Sequence, residues 1–71
     1  MQQKITIIGH VLSYDDATSL MGMRYLAHIS PEESKVFFDE AYNKGSAAFE
    51  DHQGVKYKLT HNGGQFDLIH L

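Results

Sequence analysis

Cysteine is absent from the 71 residues, which excludes a disulfide framework and any thiolate-ligated zinc or iron–sulfur centre. Proline occurs once, and no Pro/Gly/Ser-rich linker, low-complexity tract or internal repeat divides the chain, so one domain over residues 1–71 is expected. No apolar run approaches membrane-spanning length, and Met1-Gln2-Gln3-Lys4 leads into a strand pattern instead of a signal-peptide stretch, which makes a cytoplasmic location the expectation. Basic charge is also scarce. Six Lys and Arg against nine carboxylates give net −3 and a pI near 5.9, a balance that argues against direct contact with a nucleic-acid backbone.

What is present is 42% apolar, 11% aromatic and 21% charged residues, the composition of a globular domain. A chain of this size exposes roughly 4,400 Å² when folded and buries only about 60% of its unfolded surface. Without disulfide or metal so small a core is marginal, and the chain is expected to self-associate as a homodimer or to join a heteromeric complex.

Lys4 to Ser13 is rich in β-branched residues, with Ile5, Ile7 and Val11 on one face, and predicts a single strand in which Gly9 marks a bulge or a close approach of another backbone. Met23, Tyr25, Ala27 and Ile29 alternate with Arg24 and His28, predicting a second strand, although Leu26 breaks the alternation. Ser30-Pro31-Glu32-Glu33 is a capping box with proline at the first helical position, so a helix starts there and runs to Lys44, where Gly45 can end it in the left-handed conformation. Ser34, Phe37, Phe38, Ala41 and Tyr42 form its apolar stripe. Phe37 is expected to be a core residue.

The remaining chain predicts two hairpins. A three-residue loop, His52-Gln53-Gly54, pairs Phe49 with Tyr57, Ala47 with Leu59 and Glu50 with Lys56, keeping the apolar residues on one face. A two-residue turn at Asn62-Gly63 then pairs Leu59 with Phe66, Tyr57 with Leu68 and Lys58 with Asp67. The predicted architecture is ββαβββ, an α+β domain with a mostly antiparallel sheet and one helix packed on one face.

Five histidines invite a metal or general-base reading. His10, His28, His52, His61 and His70 form no H-x-x-x-H pair on a helix and no H-x-H pair on a strand, so neither a metal site nor a catalytic histidine is expected. In the row containing Asp51, Val55 and His70, the acid and the imidazole lie about 10 Å apart, two strand spacings. No G-x-S-x-G, G-x-x-x-x-G-K-[ST] or G-x-G-x-x-G occurs, and the glycines read as turn residues. A non-enzymatic protein without cofactor is expected. Asp15-Asp16 fails the EF-hand pattern at every later position.

The connection Tyr14 to Gly22 is long for a hairpin loop and carries Tyr14, Leu20 and Met21 beside Asp15 and Asp16. The expected function is therefore a small protein-interaction domain, an inhibitor or adaptor of a cytosolic partner, whose contacts centre on Tyr14, Asp15, Asp16, Leu20 and Met21. Val36 among Asp39 and Glu40 on the outer helix face is the second choice. An acidic mimic of nucleic-acid charge that occupies a basic groove, and a small histidine-dependent enzyme or metal binder, are the alternatives.

Overall fold

Gly9 is the pivot of a tight hairpin. The computed structural model describes residues 1–71 and orders them as β1 (Gln2–Ile7), β2 (His10–Asp15), α1 (Leu20–His28), α2 (Pro31–Lys44), β3 (Ser46–Glu50), β4 (Lys56–Asn62) and β5 (Gln65–His70). The single strand predicted over Lys4 to Ser13 is thus two antiparallel strands, with Ile7 opposite His10 and Ile5 opposite Leu12. Ile8 and Gly9 connect them at φ 45° and 82°, the double left-handed conformation of a type I′ turn. The turn shifts the parity of the alternation: Leu12 and Tyr14 join Ile5 and Ile7 on the core face, and Val11 faces outward, 46% exposed. A β-branched residue pays a steric penalty in the left-handed region. Ile8→Asn is accordingly expected to stabilise the protein by about 1 kcal/mol, read as a raised urea midpoint at unchanged slope.

The second predicted strand is a helix. Gly22, Met23 and Leu26 of α1 are buried, a spacing of three to four that a strand does not produce, and Leu, Met, Arg and Ala are strong helix formers. The alternation of Met23, Tyr25, Ala27 and Ile29 coincided with a helical pattern whose inward positions include the Leu26 that broke it. Two helices therefore follow each other. Ser34 of α2 donates its hydroxyl to the Leu26 carbonyl, which satisfies an acceptor near the end of α1 and ties the helices together.

Helix α2 begins and ends where the residues require. The Ser30 hydroxyl accepts from the Glu33 N–H at 3.2 Å, Pro31 occupies the first turn, and Gly45 adopts φ 89°. Ser34, Phe38 and Ala41 are buried, Phe37 is partly buried at the core margin, and Tyr42 lies exposed against His61. Phe38, not Phe37, is the fully enclosed ring.

The five strands form one mixed sheet in the order β1-β2-β5-β4-β3. All neighbours are antiparallel except β2 and β5, which run parallel with Leu12 opposite Phe66 and Tyr14 opposite Leu68. The pairing of β3 with β4 places Phe49 opposite Tyr57, Ala47 opposite Leu59 and Glu50 opposite Lys56, as the three-residue loop predicts. The next register differs by two residues. Leu59 faces Leu68, His61 faces Phe66, Tyr57 faces His70, and Lys58 faces Ile69 rather than Asp67. The turn is Gly63-Gly64, at φ 60° and 82°, because a type I′ turn needs two positive φ values and two glycines meet both without a Cβ. A shift of two preserves the faces, so Tyr57 and Leu59 still point inward.

Both helices lie on the same sheet face, and 13 buried residues join across it into one apolar cluster. Gly22 brings the backbone of α1 onto the ring of Tyr57. The other face is mixed, with Val11 and Ile69 exposed among polar side chains and a Gln65 to Ser13 side-chain bond at 3.2 Å. No helix is long and apolar enough to cross a membrane.

Candidate functional site

The predicted contact loop dissolves in the fold. Tyr14 is in β2, 9% exposed and part of the core, so it serves packing before any partner. Asp15 ends β2, and Asp16 follows it; the Met1 ammonium lies 3.0 Å from Asp15 Oδ1 and 3.1 Å from Asp16 Oδ1. Donating to these acids holds the ammonium above its usual pKa. The Ala17 N–H first, and the ammonium second, hold Asp15 below the ordinary carboxylate range. Leu20 is partly buried against the core. Of the five, Met21 alone presents a large apolar side chain to solvent, 47% exposed. Val36 and Asp39 are exposed on α2, and Glu40 lies 3.8 Å from Lys44 in an i,i+4 pair.

Met21 belongs instead to a groove of about 520 Å³ between α1 and the β3–β4 loop, lined also by Arg24, Tyr25, His28, Asp51, His52 and Gln53. Met21, Arg24, Tyr25 and His28 are spaced i, i+3, i+4, i+7 and so form one stripe of α1, adjacent to the buried positions Gly22, Met23 and Leu26. The opposite wall is held rigidly. Asp51 Oδ1 accepts from the N–H groups of Gln53 and Val55, both at 2.9 Å, and the Asp51 N–H donates to the Val55 carbonyl at 3.0 Å. One carboxylate oxygen therefore organises the loop and orients His52 and Gln53.

An aromatic column connects the groove to the core. His52 meets Tyr25 edge-on at 5.1 Å, Tyr25 stacks on Phe49 at 5.7 Å, and Phe49 stacks on Tyr57 at 5.6 Å. Burial pushes the Tyr57 phenol pKa up and the Asp51 carboxylate adds to the shift, while hydrogen bonding from the Gly22 N–H acts in the opposite sense. The groove floor is thus preorganised by packing, which lowers the ordering cost of binding.

Arg24 is the sole arginine of the chain. It takes part in none of the ion pairs, which join Met1 to Asp15 and Asp16 and Lys44 to Glu40. Its planar fork of donors suits a carboxylate or phosphate.

The other histidines are explained by aromatic neighbours. His10 stacks on Phe38 at 4.9 Å, His61 lies 4.9 Å from Phe66 and from Tyr42, and His70 meets Tyr57 edge-on at 5.4 Å. His70 sits opposite Tyr57 rather than in the row of Asp51 and Val55. No three His, Asp or Glu side chains come close enough to hold a metal ion.

Arg24, Tyr25, His28, His52 and Gln53 were outside the predicted contact set. The signal for Arg24, Tyr25 and His28 was the i, i+3, i+4, i+7 stripe they share with Met21, legible only once residues 20–28 are read as a helix; His52 and Gln53, in the β3–β4 loop, carried no such signal. No protein-family model, curated protein or solved structure matches the chain.

Proposed function

We propose that the protein is a small, non-enzymatic protein-interaction domain whose groove between α1 and the β3–β4 loop receives an acidic segment of a partner protein. The observation that carries this reading is the position of Arg24, an unpaired guanidinium in a groove of about 520 Å³ on a net-acidic chain. Arg24 would clamp a carboxylate of the partner. His28, His52 and Gln53 supply further hydrogen-bonding groups, and Met21 with Tyr25 offers an apolar surface beside the charge. Asp51 keeps its negative charge at the groove wall with its Oδ1 turned to two loop amides, so Arg24 must outweigh it for an acidic segment to bind. The groove is open rather than enclosed and brings no nucleophile to a base, so recognition suits it better than catalysis.

The charge-mimic alternative draws less support. Asp15 and Asp16 share the Met1 ammonium, and Glu40 pairs with Lys44, so these acids are partly neutralised within the chain.

The test compares partners captured from the native source, with their affinities then measured by calorimetry. Arg24→Ala should weaken binding about tenfold, equivalent to about 1.4 kcal/mol, and Arg24→Lys should recover only part of it. Val36→Ala should leave affinity unchanged. Equal affinities for wild type and Arg24→Ala, or a loss confined to Val36→Ala, would contradict the groove as the contact surface.

A further inference from the structure

We propose that the free edge of β1 pairs with the same edge of a second copy, joining two five-stranded sheets into one. This surface is independent of the groove. Strand β1 lies at the end of the sheet, with only β2 beside it. The Asp16 N–H donates to the Met1 carbonyl at 3.0 Å, so the polar backbone groups of residue 1 face β2. By alternation those of residues 3, 5 and 7 do too, and the N–H and C=O groups of Gln2, Lys4 and Thr6 point away from the sheet. An edge of this kind is a template for another strand. It contains no proline and no bulge, and Lys4 is its one charged side chain.

The helices favour this edge over the opposite one. They pack mainly over β3 and β4 and less over β2 and β5, and β1 lies at the margin of the helical layer, with Ile7 buried in the core. Ile5 is left only partly buried at the open margin of the core. At the other edge, Ala47 and Phe49 of β3 are already buried beneath α2, so pairing there would cover no further apolar side chain on the core face and only the small Ala48 on the outer one.

Charge and strand length select the register. A two-fold axis perpendicular to the sheet makes one residue face its own copy and keeps both helical layers on the same side. Centring on Lys4 would oppose two ammonium groups, and centring on Thr6 would pair only residues 5–7 of β1. Centring on Ile5 pairs residues 3–7, sets Lys4 against Thr6 of the other copy with their outward backbone groups exchanging hydrogen bonds, and brings the two Ile5 side chains together on the helical side. This contact is smaller than the standard interface of about 800 Å² per partner, so the dimer exchanges with monomer and its population rises with concentration.

Sedimentation equilibrium from micromolar to millimolar concentration should show the average mass rising from 8.0 kDa towards twice that value. Ile5→Lys and Ile5→Glu should each remain monomeric, and an equimolar mixture of the two should recover the dimer at low salt. Thermal melts confirm that the variants fold. Should either fail to fold, Thr6→Pro removes an outward N–H without touching the β1–β2 ladder, and it should abolish association. A wild-type mass fixed at one chain up to millimolar concentration, persistent dimer in Thr6→Pro, or growth beyond two chains through open β1 to β3 pairing would overturn the proposal.

Discussion

Phe38→Ala should cost about 3–5 kcal/mol, the range for truncating an enclosed aromatic side chain. Phe38 is fully buried, meets Phe66 edge-on at 4.9 Å and stacks on His10 at 4.9 Å. It is therefore the point at which α2 keys into both β2 and β5. A chain of 71 residues has a total stability of roughly 4–11 kcal/mol, so the loss is a large fraction of it. Urea unfolding should show the midpoint falling steeply, with the variant partly unfolded in buffer if wild-type stability lies near the lower end. Phe37→Ala, at the core margin, should cost clearly less. Equal losses at the two positions would mean that the stripe of α2 is rotated from the orientation described.

Gly22→Ala should destabilise as well, although on a bare helix the same change gains about 1 kcal/mol from propensity. The sign reverses because an added Cβ would lie 2.7–2.9 Å from three carbons of the Tyr57 ring. The ring has little room to retreat: it is 2% exposed, stacked on Phe49 at 5.6 Å and edge-on to His70 at 5.4 Å. Overpacking of this kind costs about 1–3 kcal/mol, which exceeds the propensity gain at most of its range, and α1 would be lifted from the sheet. Because α1 forms one wall of the groove, the lift should also widen it. Combining Gly22→Ala with Tyr57→Leu should cost less than the sum of the single changes, since the smaller side chain relieves the clash. A Gly22→Ala protein with a raised melting temperature would show that the close approach is absent.

The contrast between α2 and α1 explains what was legible in the residues. Helix α2 carries its own punctuation, Ser30-Pro31-Glu32-Glu33 at one end and Gly45 at the other, and local chemistry sufficed to bound it. Helix α1 has no such signal: Ser19 precedes it without a side-chain cap bond, and its first turn has no acid. Its identity depends on tertiary burial of Gly22, Met23 and Leu26, which local alternation imitated. The hairpins divide similarly. The His52-Gln53-Gly54 loop was legible because a one-residue slip would have turned Phe49 outward. At Gly63-Gly64, a shift of two leaves every side chain on the same face, so the face pattern did not discriminate between registers. Ile8-Gly9 was hidden because a β-branched residue rarely enters a left-handed turn.

The site followed the fate of these elements. Reading residues 14–22 as a loop gathered Tyr14, Asp15, Asp16, Leu20 and Met21 into one surface; the structure distributes them among core, chain terminus and helix. Arg24 and His28 were placed on the outer face of a strand, far in sequence from His52 and Gln53. Only the packing of a helix beside the β3–β4 loop brings those groups together, through the column of Tyr25, Phe49 and Tyr57.

Amide chemical-shift mapping of the isotope-labelled protein, titrated with an acidic peptide carrying one leucine, tests the groove most directly. The expected result is a continuous set of shifts over Met21 to His28 and Asp51 to Val55, weakened at high salt and lost in Arg24→Ala. Shifts centred on Val36, Asp39 and Glu40, shifts that persist unchanged in Arg24→Ala, or none at millimolar peptide would contradict it.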